Sequence, residues 1–425
     1  MTTGVYWCER AWLGPGRLAE GVLVEIADRY VDRVTIDVRH PPQRARQLTG
    51  ITIPGLANCH SHAFHRMLRG HAQTGQGSFW TWRERMYTAA AGLDPDGYHE
   101  LARSVYAEML SGGVNAVGEF HYLHHGPGGA RYADPNAMGE ALIAAAVDVG
   151  LRITMLDTCY LAGGIGKPVT GVQERFSDGG ADRWAQRAED LRVRYQGNGD
   201  VVIGAAVHSV RAVPREEIGT VAAWARAHSS PLHVHLSEQV AENDECTAAY
   251  GHSPTRVLHD AGALGPRTTA VHATHLTADD IELLGGSQTH ACFCPTTERD
   301  LADGVGPSRR LADAGSALTL GSDSHAVIDM FEEMRAVEMN ERLVSQRRGH
   351  WTADELLRAA SCDGHASLGF GNAGMIAPGA WADLVTVRTD SWRTRGTGGT
   401  AQTLVFAATG ADVTHVVAGG RVVVA

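Results

Sequence analysis

GYHELARSVYAEMLSGGVNAVGEFHY, residues 97–122, contains the unit from which most of the chain is built. Its first part has the apolar spacing of an amphipathic helix, and its second part is a short apolar, β-branched run that predicts a buried strand. Helical stretches such as residues 138–150 separate further runs of the second kind. The eight predicted strands are 51–62, 113–122, 151–160, 201–211, 231–238, 268–276, 289–297 and 317–325. Eight strands, each followed by a helix, predict an α/β fold with a closed (β/α)₈ barrel.

Short β-rich segments lie at both ends of the chain. VLVEIADRYVDRVTID, residues 22–37, and VTHVVAGGRVVV, residues 413–424, have the composition of strands joined by tight turns. We therefore predict that residues 1–53 and 376–425 are the two parts of one small β-sandwich domain, and that residues 54–375 form the barrel.

The composition excludes several classes of protein. The 425 residues are 44% hydrophobic and 20% charged, as in an ordinary packed protein, and the net charge of −11 argues against nucleic acid or an anionic membrane as a partner. No apolar run approaches the ~18 residues of a membrane helix, and the N-terminus lacks a secretory pattern. Seven scattered cysteines without a framework spacing favour a reduced, cytoplasmic protein.

Lysine is almost absent. Lys167, in GGIGKPV, is the single lysine among 37 basic residues. Its surroundings do not match the GK[ST] of a phosphate-binding loop. Schiff-base chemistry, a pyridoxal phosphate enzyme or a metal site bridged by a modified lysine would all have to use this one loop residue, so we do not expect them.

Nearly every predicted barrel strand ends in polar residues. The carboxyl ends of barrel strands meet at one mouth, where barrel enzymes carry their chemistry, so the pattern predicts an enzyme. The residues concerned are His60, His62, His121, Tyr122, Tyr160, His208, Arg211, His235, Glu238, His272, His275, Thr296, Thr297 and Asp323.

Two histidine pairs and one aspartate indicate a metal site. His60 and His62 end the first strand, His233 and His235 lie on the fifth, and Asp323 follows the eighth. Residues i and i+2 of a strand face the same side, so each pair can point at one ion. Imidazole and carboxylate ligands with one open position suit a borderline ion such as Zn²⁺, with Fe²⁺ as the other candidate.

The segments NCHSHAF (58–64), HVHLSE (233–238), VHATH (271–275) and GSDSH (321–325) resemble the signatures of the deaminase branch of the amidohydrolase superfamily. This resemblance implies a barrel with a small β-domain made from both chain ends. It also implies one divalent metal ion, held by His60, His62, His235 and Asp323. The scarcity of lysine agrees, because binuclear members use a carboxylated lysine after strand four, where this chain has His208.

The reaction needs a nucleophile, a base and an acid. A metal ion activates water as the nucleophile, and a side chain must take its proton and pass one to the leaving nitrogen. Glu238, three residues after His235, is the expected proton shuttle. We expect His272 to polarise the substrate, and Asp323 to take part in proton movement while it binds the metal; the resemblance implies the same roles. His275 is expected to be an ordinary satisfied polar group.

The segments SFWTWRERMY (78–87), EFHYLHH (119–125) and HSVRAV (208–213) resemble the formimidoylglutamate deiminases in particular, over essentially the whole chain. This resemblance implies attack on the formimino carbon of N-formimino-L-glutamate, giving N-formyl-L-glutamate and ammonia in histidine degradation. Arg83 and Arg211 offer planar forks that suit the two carboxylates of such a substrate. Further contacts are expected from Tyr122, His208 and His65, the last standing where the family has glutamine. Trp80 and Trp82 are expected to pack in the core.

Other interpretations stay open. The runner-up is a deaminase of the same branch that acts on a guanine-like ring, which would need a flat, aromatic-lined pocket. A barrel without activity that serves as a binding protein, and an iminohydrolase that releases formamide and glutamate, are further alternatives. A homodimer is typical of relatives. The chain ends soon after its last strand, where relatives commonly continue, and we expect any effect on the small domain or a subunit contact.

Overall fold

The computed structural model describes residues 2–73 and 77–425. Seven strands of this part form a sheet that draws on both ends of the chain: β1 (Thr2–Trp12), β2 (Leu18–Ala27), β3 (Tyr30–Thr35), β4 (Arg46–Pro54), β13 (Leu384–Val387), β14 (Val413–Ala418) and β15 (Arg421–Val424). Their spatial order is β15-β14-β13-β4-β1-β2-β3. We call this the terminal sheet.

Eight parallel strands between these two groups form the barrel: β5 (Leu56–Ser61), β6 (Val114–His121), β7 (Arg152–Cys159), β8 (Val201–Val207), β9 (Leu232–Leu236), β10 (Thr268–His272), β11 (His290–Phe293) and β12 (Leu318–Leu320). Each strand pairs with its neighbour in sequence. A parallel bridge between Ser61 and Asp323 joins the last strand to the first. The predicted barrel, with a second sheet from both termini, is confirmed.

Helices follow the barrel strands, as the repeat predicts. They are α1 (Phe79–Ala91), α2 (Pro95–Ser111), α3 (Ala137–Val149), α4 (Ala181–Arg194), α5 (Arg215–His228), α6 (Val240–Tyr250), α7 (Pro254–Asp260), α8 (Ala278–Gly286), α9 (Pro295–Asp300), α10 (Ser308–Ala314), α11 (Met330–Ser345), α12 (Ala353–Arg358), α13 (Gly364–Ser367) and α14 (Ala401–Phe406). None of the helices within the described ranges has the length and apolar content that crossing a membrane requires.

The first predicted strand, residues 51–62, is two strands in two different sheets. Its first half belongs to β4 and its second half is β5, and the chain changes sheets at Gly55. The Gly55 amide donates to the carbonyl of Asp383 in the terminal part, whereas the next amide, of Leu56, donates to the carbonyl of Gly113 in the barrel. A continuous apolar run does not reveal this change, because both halves are buried.

The strands β13 and β14 of the terminal sheet bury residues on both faces. In β13, Leu384 packs in a small separate core with residues of β1 and β2, whereas Val385 packs in the main core of the barrel. In β14, Val417 and Val416 divide between the same two cores. Successive residues of a strand point to opposite faces, so the sheet attaches itself to the barrel with one face and covers its own small core with the other.

Candidate active site

Four predicted ligand side chains converge at the carboxyl end of the barrel. His60 lies near the end of β5 with His62 just beyond it, His235 lies near the end of β9, and Asp323 follows β12. His235 Nε2 is 3.1 Å from His60 Nε2 and 3.3 Å from His62 Nε2. Asp323 Oδ1 is 3.4 Å from the Nε2 atoms of both His60 and His62. We call these four residues the ligand cluster.

The spacing of the ligand cluster fits a metal ion. Metal–nitrogen bonds of about 2.0–2.1 Å in a tetrahedral site place neighbouring ligand atoms about 3.4 Å apart. Four separations within the cluster, 3.1–3.4 Å, lie close to that value: those from His235 to His60 and His62, and those from Asp323 to the same two histidines.

Hydrogen bonds aim the histidine lone pairs at the centre of the cluster. His62 Nδ1 donates to the carbonyl of Phe120 at 2.8 Å, and His235 Nδ1 donates to the carbonyl of His208 at 2.9 Å. The proton of each neutral ring is then on Nδ1, and the two Nε2 lone pairs face each other. Burial, followed by the neighbouring His60, lowers the pKa of His62 to about 3, so protonation does not relieve this repulsion near neutral pH. A divalent cation bound between the two Nε2 atoms would relieve the repulsion, so these donor atoms fit a metal ion.

His233 does not join the ligand cluster. It lies two residues before His235 on β9, and its Nε2 atom is 3.4 Å from the carbonyl oxygen of Ser367. The strand rises about 3.3 Å per residue, so His233 lies deeper in the barrel than the mouth. Of the two histidine pairs, only the one on β5 contributes both members.

Strained backbone is concentrated around the site. His272 has φ 69° and Asp323 has φ 44°, in the left-handed region that residues other than glycine seldom adopt. Asp323 is held there because its amide donates to the carbonyl of His60 at 2.9 Å and its carbonyl accepts from the amide of His62 at 3.2 Å. Each such residue costs about 1–3 kcal/mol, and this kind of strain is typical of functional sites.

Gly321 lets β12 approach the ligand-bearing strand. A Cβ atom at this position would lie 2.7 Å from the Cβ of His60 and 2.9 Å from its backbone nitrogen. Any side chain there would force β5 and β12 apart. The glycine of GSDSH therefore brings Asp323 within reach of the histidines.

Glu238 and His272 stand beside the ligand cluster. His272 Nε2 is 3.8 Å from Glu238 Oε1 and 3.7 Å from Asp323 Oδ2, and its Nδ1 is 3.4 Å from Glu298 Oε1. Burial opposes protonation of His272, but the carboxylates, Glu238 foremost, raise its pKa above the ordinary value. His272 therefore lies among the carboxylates of Glu238, Glu298 and Asp323 at the edge of the cluster.

Sequence reasoning missed the carboxylate that orients His272. Glu298 is 2% exposed, and besides facing His272 it accepts from the amide of Cys294 at 2.8 Å. Its only signal in the sequence is an acidic residue soon after the seventh barrel strand.

Glu119, a second carboxylate that the sequence analysis did not single out, holds the end of β5 in place. Glu119 is fully buried and accepts from Ser61 Oγ at 2.5 Å and from the amide of Ala63 at 2.7 Å. His325 Nε2 is 3.1 Å from the same Ser61 hydroxyl. Burial raises the pKa of Glu119 to about 7, although these hydrogen bonds lower it. An acidic residue inside the apolar run GVNAVGEF was the available signal.

A pocket opens above the ligand cluster, and its wall contains every residue predicted to contact substrate. The predicted residues along it are His62, His65, Arg83, Tyr122, His208, Arg211, His235, Glu238, His272 and Asp323. Among them, His65 Nε2 is 2.9 Å from the hydroxyl of Tyr122. Burial, and then the neighbouring His62, lowers the pKa of His65, so a neutral imidazole stands where the family has glutamine.

The two arginines of the pocket differ in their surroundings. Arg83 stacks on Trp80, with 4.5 Å from its guanidinium carbon to the ring centre, and has no carboxylate partner in the described part of the chain. Arg211 is ion-paired twice, with Nη2 3.2 Å from Glu238 Oε2 and Nε 3.3 Å from Glu242 Oε2. Arg211 therefore faces the pocket and also holds the predicted proton shuttle.

The expectation that Trp80 packs in the core is wrong. Trp80 is 37% exposed, and it lines the pocket together with Trp82. Both are on α1, which buries Phe79, Met86 and Ala90 and leaves its other side at the mouth.

Comparison with known proteins agrees with this geometry. Residues 51–423 match the model of the amidohydrolase family. Formimidoylglutamate deiminase of Pseudomonas aeruginosa is 35% identical over 394 residues, covering 90% of this chain and 85% of that protein. 8-Oxoguanine deaminase of the same organism is 30% identical, covering 81% and 76%. The crystal structure of an amidohydrolase from Brucella melitensis superposes with a TM-score of 0.92 at 30% identity, covering 99% of this chain and 95% of that one.

Proposed function

This chain belongs to the amidohydrolase family, and we propose that it is a metal-dependent deiminase that hydrolyses N-formimino-L-glutamate to N-formyl-L-glutamate and ammonia. The observation that carries the proposal is the position of Arg83, a guanidinium without an acidic partner in the described residues, in the wall of the pocket above the ligand cluster. An unpaired guanidinium calls for an anionic ligand, and Arg211 offers a second fork nearby.

One divalent metal ion fits the ligand cluster, because ligand atoms of His60, His62 and His235 all lie within 4.8 Å of one another and Asp323 lies within that distance of both His60 and His62. When bound, the ion supplies an activated water as the nucleophile. Nitrogen and oxygen ligands in this number suit Zn²⁺ best, and Fe²⁺ is the other candidate.

The protein side chains move the protons. In the balanced reaction, water adds its oxygen to the formimino carbon, both of its hydrogens are transferred to the terminal nitrogen, the bond from the carbon to that nitrogen breaks, and the nitrogen leaves as ammonia. Glu238 takes a proton from the attacking water and passes it to the departing nitrogen. His272, with its raised pKa, donates to the formimino group as charge develops there.

The rest of the pocket would hold the amino-acid part of the substrate. Arg83 and Arg211 are the cations for its two carboxylates, and Tyr122, His208 and His65 add neutral hydrogen-bonding groups. Tyr122 and His65 already share a hydrogen bond, so a carboxylate oxygen near either of them can join an existing pair.

One observation favours the alternative, a deaminase of a guanine-like ring. The pocket wall is rich in aromatic side chains, which suit a flat ring: Phe79, Trp80, Trp82, Tyr87, Tyr122, Tyr160 and Phe176. Such a substrate has no carboxylate for Arg83, and this is why we place it second.

Ammonia release from N-formimino-L-glutamate, guanine and 8-oxoguanine by the metal-loaded protein tests the proposal. We expect ammonia and formylglutamate from the first compound only, and loss of activity after chelation that one divalent ion per chain restores. Arg83→Met should lower kcat/KM about 10- to 100-fold, whereas Arg103→Met, which removes an exposed charge of α2 outside the pocket, should leave it unchanged. Ammonia from a purine alone, or formamide and glutamate as products, would refute the assignment.

A further inference from the structure

The pocket wall contains a third cation that the proposed reaction does not use. Lys167, the single lysine of the chain, lines the pocket with its neighbours Gly163 and Gly164. These residues follow β7 in the chain.

The loop that presents Lys167 is held in place by its own hydrogen bonds. The amide of Gly163 donates to the carbonyl of Lys167 at 3.0 Å, and the amide of Lys167 donates to the carbonyl of Gly164 at 2.9 Å, closing a tight turn. The amide of Ala162 donates to the carbonyl of Ala212 at 2.9 Å and ties the loop to the next barrel unit.

The lysine side chain lies over Gly164. A Cβ atom at Gly164 would be 3.2 Å from Cδ of Lys167 and 3.9 Å from its Cγ. The glycine therefore leaves the space in which the lysine stem rests. Gln173 holds the next part of the loop, because its amide nitrogen donates to the hydroxyls of Tyr87 at 3.0 Å and Tyr160 at 3.2 Å.

Lys167 is an exposed residue, and its charge is not paired with any of the carboxylates of the pocket. Arg211 is balanced by Glu238 and Glu242, and the charge of Asp323 belongs to the ligand cluster. In the described part of the chain, Arg83 and Lys167 have no ion pair, and neither does Glu245, the remaining carboxylate of the wall. Arg83 and Lys167 are therefore the cations of the wall that remain available to a substrate carboxylate.

We propose that Lys167 is a specificity-determining residue whose ammonium group, together with Arg83, receives the substrate carboxylate farthest from the reacting carbon. The proposal rests on the proposed function, because it takes a dicarboxylate formimino compound as the substrate. In N-formimino-L-glutamate that group is the γ-carboxylate. Lys167 distinguishes it from a neutral γ group of the same shape, such as an amide. The contact is electrostatic and partly open to water, so its effect is on binding and falls with ionic strength.

The test compares two substrates that differ only at the γ position, N-formimino-L-glutamate and N-formimino-L-glutamine. In the parent we expect a clear preference for the acid. Lys167→Met should lower kcat/KM for the acid about three- to tenfold through KM, and leave kcat and the value for the amide within about twofold. Lys167→Arg should keep the preference, and Arg103→Met is the charge-matched control on α2.

The outcomes separate the two claims. A parent that hydrolyses neither compound refutes the proposed function and this proposal with it. An active parent whose preference for the acid survives in Lys167→Met refutes the role of Lys167 alone. An equal loss for acid and amide in that variant, or the same loss in Arg103→Met, also refutes it, because neither depends on a contact with the γ-carboxylate.

Discussion

Replacing Arg211 by methionine separates two roles that the structure gives to one side chain. Arg211 lines the pocket, and it is ion-paired with Glu238 and Glu242. Burial raises the pKa of Glu242, and Arg211 opposes that rise. Arg211→Met therefore removes a substrate cation and at the same time leaves a buried carboxylate without its partner.

The size of both effects follows from the contacts. Removing one partner of a buried ion pair costs about 3–5 kcal/mol of unfolding free energy. Since unfolding entropy is about 2.1 cal/mol/K per residue, a chain of 425 residues loses about 3–6 °C in Tm. Loss of one charge-assisted contact to substrate costs about 1.5–3 kcal/mol, which is about 10- to 100-fold in kcat/KM. Because Glu238 also loses its ion pair with Arg211, we expect kcat to fall in addition to the rise in KM.

A double variant distinguishes the roles. In Arg211→Met/Glu242→Met both partners are apolar, so we expect Tm to return to within about 2 °C of the parent. The raised KM for N-formimino-L-glutamate should remain, and Glu242→Met alone is the control. Differential scanning calorimetry and steady-state ammonia release measure the two quantities. If Arg211→Met has the parent's Tm and KM, or if the double variant recovers KM as well as Tm, the reasoning is wrong.

Three further predictions concern residues around the site. Glu298→Gln should lower kcat about 10- to 100-fold with KM within about twofold, because it removes a charge that keeps His272 protonated; an unchanged kcat would contradict this. Arg187→Met should lower Tm by about 3–6 °C in a thermal melt, since it removes the arginine that forms ion pairs with two buried aspartates, whereas Arg103→Met should not. Burial raises the pKa of Glu119 to about 7 in the fold, so the ionisation of this one group should lower the unfolding free energy of the metal-free parent by about 3 kcal/mol as pH rises from about 4.5 to 7. Glu119→Gln should lack that part of the slope in urea titrations at several pH values, and equal slopes would refute it.

The barrel and the convergence of the four side chains of the ligand cluster could be predicted because their signals are local. His60 and His62 have the two-residue spacing of a strand and follow an apolar run, and Asp323 follows another. The order of the eight barrel strands in space equals their order in the chain, so placing each strand end also placed its polar residue at the mouth.

The features that could not be predicted depend on how separate segments of the chain are arranged in space. Nothing in HSVRAV indicates that Arg211 pairs with Glu242, which lies on α6. The exposure of Trp80 depends on how α1 lies across the mouth, and the periodicity of one helix does not contain that information. The division of residues 51–62 between two sheets is hidden for a similar reason, because both halves are apolar and buried.

The junction of β5 and β12 also has a consequence for the order in which the molecule matures. His60 and His62 are made early during translation, whereas Asp323 is made only after most of the polypeptide, and Gly321 must bring it against the first barrel strand. A nascent chain can therefore offer a metal ion only some of its ligands. The affinity for the ion should become high only when the barrel closes. Acquisition of the ion is thereby a late event in biosynthesis, and a truncated chain that ends before β12 should be unable to retain it.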